Sequence, residues 1–428
     1  MPETSPLAAA NALPGDRLRV SAWVLYDLAN TVYAAVLTFV FVPFAKQQLG
    51  GLTAQGAVNF ASMVAAGLLV PLLGALADHT ARTRGYLTVA TVGCVLAMFG
   101  WGLDLGGTWL LLCFFVANLT YNVGLLFYNS LLPSVVSPDR IGRVSGLGVG
   151  LGYFGTILVL AVLLPLPVAD PTRFVIAGLM FLVGALPCLL LVRDLRPSRS
   201  GSARSSMRAA TSSLAEALRR LPRHRALLWF LLGNFCLVDV LNTAVLFFAD
   251  FTVDVFQRDL DQGALQVLGV AITSREGLLS LMGLCLNGLA LAFGIGLGIW
   301  TDRAPLRVMR TSGLALLGAL IGGAVFGGHS AAGYLLTLVA LGAFGLAGIW
   351  TAGRKILLLL APPEHVGQYF GLYGITTKLS VVGAFVYGVV ADAWGSKAAM
   401  LVQGVPLLLG LACLAMVRLP AAGTPPTR

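Results

Sequence analysis

The chain alternates long apolar segments with short polar loops, and the apolar segments occur twelve times. An α-helix needs about 20 mainly apolar residues to cross the hydrocarbon core of a bilayer. The pattern therefore predicts an all-α integral membrane protein with twelve membrane-spanning helices. The predicted spans are Ala22–Ala45, Ala57–Ala77, Tyr86–Leu103, Trp109–Pro133, Ser145–Val168, Phe174–Val192, Leu227–Phe248, Gly277–Trp300, Met309–Phe326, Ala332–Leu360, Phe370–Ala391 and Ala398–Val417.

Composition supports this prediction and excludes several classes of protein. Hydrophobic residues make up 57% of the chain and charged residues 11%, whereas soluble domains are about 25% charged. The mean hydropathy is +0.87. These values exclude a disordered protein and an ordinary soluble enzyme.

The basic residues are distributed unevenly between the two sides of the predicted bundle. With the N-terminus placed inside, 22 of the 28 Lys and Arg fall in inside loops and tails, five fall outside, and Lys378 lies within a span. Lys and Arg accumulate on the cytoplasmic side of membrane proteins. We therefore expect a multi-pass membrane protein with both termini in the cytoplasm. The net charge of +10 reflects this topology, and no nucleic-acid partner is expected.

A basic inside segment divides the chain into two groups of six spans. The predicted organisation is a cytoplasmic segment at 1–21, six-helix bundles at 22–192 and 227–418, a linker at 193–226 between them and a tail at 419–428. Within the linker, Ser213 and Glu216 have the spacing of a helix capping box. We expect a short amphipathic helix to start there and to lie on the inner leaflet.

The two groups of spans contain the same short motifs. Gly74-Ala-Leu-Ala-Asp78 follows the second span, and Gly298-Ile-Trp-Thr-Asp302 follows the eighth. Asp27-Leu-Ala-Asn30 in the first span corresponds to Asp239-Val-Leu-Asn242 in the seventh. Two parallel six-helix repeats are typical of secondary transporters.

The loop after the second span resembles the signature loop of the major facilitator superfamily, Gly-x-x-x-Asp-x-x-x-Arg. The resemblance implies a major facilitator fold with a cytoplasmic gate, in which the Asp caps a neighbouring helix and pairs with an Arg. Ala81 departs from the family pattern, which usually has glycine there, so the turn is expected to differ. The implied gate residues are Gly74, Asp78, Arg82, Gly298, Asp302 and Arg303.

Longer motifs in both halves resemble a narrower group. They are WVLYDLANTVYA at Trp23–Ala34, LFYNSLLP at Leu126–Pro133, GRVSGLGVGLGYFG at Gly142–Gly155 and PPEHVGQYFGLYGITTK at Pro362–Lys378. Together they look like the UMF1 group, which is related to the Atg22-like vacuolar amino-acid effluxers. The resemblance implies alternating-access transport of an amino acid or similar zwitterion, in the export direction, across a bacterial inner membrane. An exporter of drugs, lipophilic cations or metal ions and a non-transporting membrane scaffold are the alternatives.

Ionisable groups inside the spans are the main functional candidates, because each disfavours insertion by about 2.5–3.5 kcal/mol at the helix centre. Asp239, near the middle of the seventh span, is expected to bind a proton, a cation or the amine of the substrate. Asp27 has the same candidate role or pairs with an interfacial arginine. Arg354 is expected to bind a substrate carboxylate or to pair with one of these aspartates. Lys378 has the same two options, whereas Lys355 is expected to snorkel to the surface.

Uncharged polar side chains complete the candidate site. They either line a central cavity or form hydrogen bonds between helices, and the sequence leaves both roles open. They are Asn30, Tyr33, Tyr121, Asn122, Tyr128, Asn129 and Asn242.

The remaining chemistry gives no sign of an enzyme. The four His residues lie in loops without a carboxylate or Cys at ligand spacing, and no nucleophile, base and acid are arranged for catalysis. We expect no metal and no cofactor, with H⁺ or Na⁺ as a coupling ion. The expected partners are a small-molecule substrate and the lipid bilayer, with the protein as a monomer.

Overall fold

The computed structural model describes residues 16–50, 53–103, 105–194, 203–263, 265–267, 269–378 and 382–419. Within these residues, twelve helical segments are long and apolar enough to cross a membrane, which confirms the predicted number of spans. Their bounds are Arg17–Leu49, Ala54–Thr80, Thr83–Trp101, Gly107–Ser134, Pro138–Leu163, Asp170–Leu191, Arg225–Asp261, Gly277–Arg303, Pro305–Phe326, Ala331–Leu360, Pro363–Trp394 and Ser396–Ala415.

Helices in the first half build spans one to six. The α-helices are Asp16–Val36, Val42–Leu49, Thr53–Thr80, Thr83–Trp101, Gly107–Ser130, Ile141–Leu158 and Asp170–Leu191. Single π-helical turns at Leu37–Phe41 and Val159–Leu163 continue the first and fifth spans, and 3₁₀ turns occupy Leu132–Ser134 and Pro138–Arg140.

The second half repeats this plan. Its α-helices are Arg225–Asp261, Arg275–Arg303, Pro305–Phe326, Ala331–Tyr334, Ala340–Leu360, Val366–Lys378, Val382–Trp394, Ser396–Val402 and Gly404–Ala415, with a π-helical turn at Leu335–Val339 and 3₁₀ turns at Leu221–Arg223 and Pro363–His365. The seventh span runs well past its predicted end at Phe248. An unpredicted hairpin of strands Gln266–Val267 and Val270–Ala271 follows it.

Local sequence explains where several helices begin. The side chains of Ser274 and Ser330 accept hydrogen bonds from the amides of Gly277 and Gly333, so they act as N-caps. Pro305 stands in the first turn of its helix, where a missing N–H is tolerated. Inside a bilayer, helices satisfy the backbone polar groups internally.

The two halves pack against each other mainly through two pairs of spans, the fifth with the eighth and the second with the eleventh. The loops after the second, fourth, eighth and tenth spans lie at the same end of the bundle as the linker, because each follows an even number of crossings. We call this end the linker side. The central space between the halves is therefore bounded by spans from both repeats.

Glycines allow the halves to touch at the linker side. A Cβ on Gly74 would overlap the carbonyl oxygen of Gly367, and a Cβ on Gly146 would overlap that of Gly294. Such backbone contact between membrane helices requires small residues. The halves are therefore closed against each other at the linker side.

The second and eleventh spans separate towards the opposite side. A Cβ on Gly374 would lie 2.9 Å from the Val70 side chain, and one on Gly67 would lie 3.9 Å from the Lys378 Cβ. Further along, Gly56 has no neighbouring atom within 4 Å in the described part of the chain. The space between the halves thus widens away from the linker side.

The linker helix differs from its prediction in two ways. It runs from Ala203 to Arg220, so it begins ten residues before the predicted N-cap at Ser213. It packs on the second span rather than only on the lipid surface, and the Ser213 carbonyl accepts a hydrogen bond from Gln368 Nε2 at 2.9 Å. The apolar face of this helix therefore packs on protein. An amphipathic sequence pattern predicts an apolar face but does not show whether protein or lipid covers it.

The turn at Ala81 has the geometry that glycine usually supplies. Ala81 has a φ of 50°, in the left-handed region, where a side chain costs about 1–2 kcal/mol. Ala81 therefore adopts a backbone conformation that favours glycine.

Candidate substrate-binding cavity

A cavity of about 350 Å³ lies between the two halves. Eight of the eleven predicted substrate or coupling residues line it, although they come from the first, fourth, seventh, tenth and eleventh spans. These eight are Asp27, Asn30, Tyr121, Asn122, Asn129, Asn242, Arg354 and Lys378.

The other three predicted residues lie outside this cavity. Tyr33 is buried between Trp101 and Tyr121, with ring centroids 6.0 and 4.4 Å away. Tyr128 stacks on Tyr26 at 4.9 Å. Tyr33 packs within the first half, whereas the Tyr128 ring also lies 5.7 Å from the Arg354 guanidinium of the tenth span. Asp239 belongs to a separate polar cluster, described below.

Sequence reasoning missed several lining side chains, including Thr31, Tyr153, Trp350, Tyr373 and Thr377. The sequence does contain an indication for two of them. Trp350 precedes Arg354 by four residues, and Thr31 follows Asp27 by four, so each lies on the same helix face as a charged residue of the predicted site.

The central charged contact is an ion pair between the halves. Arg354 Nη1 lies 3.1 Å from Asp27 Oδ2, and the two side chains are only 10% and 8% exposed. The pair joins the tenth span to the first. Of the roles considered for Arg354, the structure shows the ion pair with Asp27.

Aromatic rings surround the Arg354 guanidinium. Its Cζ lies 5.5 Å from the Trp23 ring and 5.7 Å from the Tyr128 ring, within the range of cation–π attraction. The two rings stack with centroids 4.3 Å apart, and Trp23 Nε1 donates to the Tyr128 carbonyl at 3.1 Å. This packing fixes the guanidinium in one place.

Lys378 differs from Arg354, because within the described residues no carboxylate is paired with its ammonium. The charged residues that line the cavity are Asp27, Arg354 and Lys378. Since the first two neutralise each other, the cavity carries one net positive charge. That charge is available to a ligand.

Two aspartates form matching contacts at the linker side. Asp78 accepts hydrogen bonds from the amides of Gly367 and Gln368, both at 2.8 Å. Asp302 accepts from the amides of Gly142 at 2.6 Å and Arg143 at 3.2 Å. Each carboxylate thereby caps the N-terminus of a helix in the opposite half, where the helix dipole favours negative charge. We call these two contacts the latches.

The charged partners of the second latch differ from those expected. Among the described residues, Asp302 pairs with Lys355 at 2.9 Å and with Arg143 at 3.3 Å. The expected partner Arg303 is exposed. Lys355 is 4% exposed in its side chain and also donates to the Asp302 carbonyl, so the expectation that it snorkels was wrong. A buried carboxylate nearby outweighs the solvation available at the helix end.

At the first latch, the described residues show hydrogen bonds from two backbone amides to Asp78 but no ion pair between Asp78 and the exposed Arg82. The Arg82 side chain lies outside the contact between the halves. The capping role of Asp78 depends on amides that lie almost 290 positions away in sequence, a relationship that a local motif does not specify.

Comparison with known proteins assigns the chain to a family. The family model described as vacuole effluxer Atg22 like matches residues 57–422. The chain belongs to this family.

Individual relatives agree with this assignment. The Atg22-like chain is 25% identical over 435 residues to the uncharacterized MFS-type transporter YxiO of Bacillus subtilis, covering 93% of this chain and 94% of that protein. Its fold is similar to the human organic anion transporter MFSD10, with a TM-score of 0.74, 16% identity and coverage of 94% and 100%. It is also similar to the MFS transporter FucP in the outward conformation, with a TM-score of 0.67, 16% identity and coverage of 96% and 100%. The fold is therefore that of a major facilitator transporter.

The second latch of this Atg22-like transporter gives a direct test. Replacing Lys355 with Met should lower the free energy of unfolding by about 1–3 kcal/mol, because the buried Asp302 loses a charge-assisted hydrogen bond. Thermal unfolding in detergent measures this change. Arg303→Met is the matched control and should change stability by less than about 0.5 kcal/mol, as expected for an exposed side chain. Equal losses in the two variants would contradict the assigned partners.

Proposed function

We propose that this chain is a secondary transporter that moves an amino acid or a similar zwitterion out of a bacterial cell by alternating access. The observation that carries the proposal is the unbalanced charge of Lys378 in a cavity whose other charges are already paired. A carboxylate is the ligand group that such an ammonium attracts.

Uncharged acceptors in the same cavity suit the other end of a zwitterion. Asn129 Oδ1 and the Tyr373 hydroxyl are buried and have no hydrogen-bond partner among the described residues. Buried polar atoms are almost always satisfied, so each is a candidate acceptor for a substrate ammonium. The cavity volume of about 350 Å³ falls within the range of about 300–1,000 Å³ for small-molecule sites.

The proposed direction is export. If both termini are cytoplasmic, as the Lys and Arg distribution indicates, the closed linker side faces the cytoplasm and the cavity opens outwards. An exporter releases its substrate from this state, and an importer takes its substrate up in the same state. The support for export is therefore the effluxer description of the family model. The proposed transporter acts as a monomer in the bilayer of the inner membrane.

Charge separates this proposal from its alternatives. A lipophilic cation or a metal ion would meet a net positive cavity whose one lining carboxylate, Asp27, is already paired with Arg354. An organic anion without an amine would suit Lys378, and MFSD10 is named as an organic anion transporter. Such an anion would leave the acceptors on Asn129 and Tyr373 unpaired, so a zwitterion fits the cavity better.

A ligand screen tests the proposed substrate class. Amino acids, the corresponding carboxylic acids without the amine, lipophilic cations and divalent metals are added to the purified protein, and thermal stability is measured. A ligand that binds only the folded state raises the melting temperature. We expect stabilisation by one or more amino acids and by neither cation class. Stabilisation by the amine-free acids alone would change the substrate class to an organic anion.

The same ligands test the role of Lys378. Lys378→Gln should weaken substrate binding by about 10–100-fold, because a charge-assisted hydrogen bond contributes about 1.5–3 kcal/mol. Titration calorimetry measures the affinity. The exposed Lys46 at the outer end of the first span provides the control, and Lys46→Gln should bind as the unmodified protein does. Unchanged affinity in Lys378→Gln would place the substrate carboxylate elsewhere.

A further inference from the structure

A second polar cluster lies outside the cavity, where the seventh, eleventh and twelfth spans meet. Its side chains are Asp239 and Thr243, one turn apart on the seventh span, and Gln403 on the twelfth. They are 4%, 1% and 1% exposed. Gly383, near the start of helix Val382–Trp394, completes the cluster.

The backbone of Gly383 fixes part of this arrangement. Asp239 Oδ1 accepts a hydrogen bond from the Gly383 amide at 3.1 Å, and Gln403 Nε2 donates to the Gly383 carbonyl at 3.0 Å. These bonds orient the carboxylate and the side-chain amide. The remaining oxygen of each group therefore has a defined direction.

Three oxygens converge beside Gly383. A Cβ placed on this glycine would lie 2.6 Å from Asp239 Oδ2, 2.6 Å from Thr243 Oγ1 and 3.0 Å from Gln403 Oε1. All three oxygens therefore lie close together against the Cα of Gly383. A residue with a side chain at this position would collide with them.

The cluster has more acceptors than donors. Thr243 Oγ1 and Gln403 Oε1 have no hydrogen-bond partner in the described part of the chain. Thr31 and Thr252 donate to the carbonyl four residues earlier, as helical threonines commonly do, but Thr243 makes no such bond. Its hydroxyl is turned towards the cluster instead.

The carboxylate likewise has no cationic partner. Within the described residues no Lys, Arg or His forms an ion pair with Asp239. A buried carboxylate is strongly disfavoured without a compensating charge. The site thus combines one negative charge with neutral oxygens, in a place that side chains of the protein leave uncompensated.

We propose that Asp239, Thr243 and Gln403 bind a Na⁺ ion that drives transport. Oxygen donors suit hard cations, and a single carboxylate balances a single positive charge. Calcium sites in proteins use 6–8 oxygen ligands, usually with several carboxylates, so a divalent ion does not match this cluster. A proton on Asp239 is the competing interpretation, and the Na⁺ dependence measured below distinguishes the two.

The position of the cluster connects it to the cavity. Asn242 lies between Asp239 and Thr243 in sequence and lines the cavity. The eleventh span contributes Gly383 to the cluster and Lys378 to the cavity. An ion at the cluster therefore links the seventh and twelfth spans directly. It also orders the side chains of Asp239 and Gln403 that bind the backbone of Gly383 in the eleventh span, which carries Lys378. The role as a coupling ion rests on the proposed transport function, whereas ion binding does not.

Binding is tested on the purified full-length protein without substrate. Thermal stability and binding of radiolabelled Na⁺ are measured in NaCl against choline chloride at equal ionic strength. We expect Na⁺ to raise the melting temperature and to bind saturably. Stabilisation that depends on pH but not on Na⁺ would overturn the proposal in favour of a proton site.

Paired variants separate ion binding from folding. Thr243→Val removes the hydroxyl at nearly constant volume and should weaken Na⁺ binding at least about tenfold, whereas Thr243→Ser keeps the hydroxyl and should bind Na⁺. Thr311→Val, which alters an exposed threonine bonded to its own helix, is the control and should bind normally. Equal binding in Thr243→Val and Thr311→Val would overturn the proposal.

Transport in proteoliposomes distinguishes the two proposals. Asp239→Asn should lose stimulation of transport by an opposed Na⁺ gradient, whereas Thr311→Val should keep it. Exchange of labelled for unlabelled substrate, which needs no gradient, is measured in the unmodified protein. Full Na⁺ stimulation in Asp239→Asn would overturn the ion site while leaving the transporter assignment intact. If the unmodified protein bound Na⁺ but did not exchange labelled for unlabelled amino acid, the proposed amino-acid substrate would be overturned and the ion site would stand.

Discussion

Replacing Arg354 with Gln is expected to lower the free energy of unfolding by about 3–5 kcal/mol, the range for breaking a buried ion pair. The substitution leaves the Asp27 carboxylate buried, with 8% of its side chain exposed, and without its cation. It also removes the cation–π contacts to Trp23 and Tyr128. Thermal or denaturant unfolding in detergent measures the loss, and transport in proteoliposomes should fall to background.

The double variant Asp27→Asn with Arg354→Gln identifies the cause. Because neither charge then remains, most of the stability should return, and a double-mutant cycle gives the coupling energy. Arg140→Gln provides the control, since the Arg140–Asp139 pair is 63% and 72% exposed and such pairs contribute about 0–1 kcal/mol.

The same double variant tests where the substrate binds. Lys378 is unchanged in it, so substrate should still raise the melting temperature, although transport stays slow without the contact between the halves. If the double variant were stable but gained nothing from substrate, Arg354 would have to hold the substrate directly.

Gly74→Ala is expected to reduce transport at least about tenfold, which corresponds to about 1.4 kcal/mol. A Cβ at this position overlaps the Gly367 carbonyl, so the linker-side ends of the second and eleventh spans must move apart. The Asp78 hydrogen bonds to Gly367 and Gln368 would then lengthen. The closed state of the latch then becomes less populated. Loss of helix stability would not explain the defect, because alanine favours the helix by about 1 kcal/mol over glycine.

Cysteine labelling measures the change of state directly. A single cysteine in place of the cavity residue Thr377, in a background without the six native cysteines, reacts with a membrane-impermeant reagent from the open side. In Gly74→Ala it should become reactive from the linker side. Gly56→Ala lies in the same helix with open space around it and should match the unmodified protein in both assays. Unchanged labelling in Gly74→Ala would contradict the assigned latch.

These predictions concern contacts that a sequence motif describes only in part. The repeated Gly-x-x-x-Asp motif pointed to both latch carboxylates, because its residues are close in sequence. Their partners were predicted wrongly for Asp302, where Arg143 and Lys355 replace Arg303. Those partners lie on spans that meet only when the two halves pack.

The cavity gives a similar result. Intramembrane charge identified Asp27, Arg354 and Lys378, since such groups are disfavoured in a bilayer without a function or partner. The same reasoning could not decide that Arg354 would be paired and Lys378 unpaired. That difference depends on which side chains face each other across 327 positions of sequence.

Asp239 illustrates the limit most clearly. The repeat matched it to Asp27, yet Asp27 pairs with an arginine and Asp239 accepts a hydrogen bond from Gly383. The two halves share a helical plan but differ in the residues opposite each aspartate. Equivalent positions in the repeats thus acquired different surroundings.

The sequence by itself determined the twelve spans, the two repeated halves and the ionisable residues that lie inside the spans. Hydrophobic length and local motif spacing carry that information, because both act within one helix or one loop. Only the tertiary structure decided which charges are paired, which side of the cavity is closed and which oxygens converge beside Gly383. Those outcomes depend on contacts between helices from distant parts of the chain. Rotating one helix by the angle of a single residue would bring a different side chain to each contact.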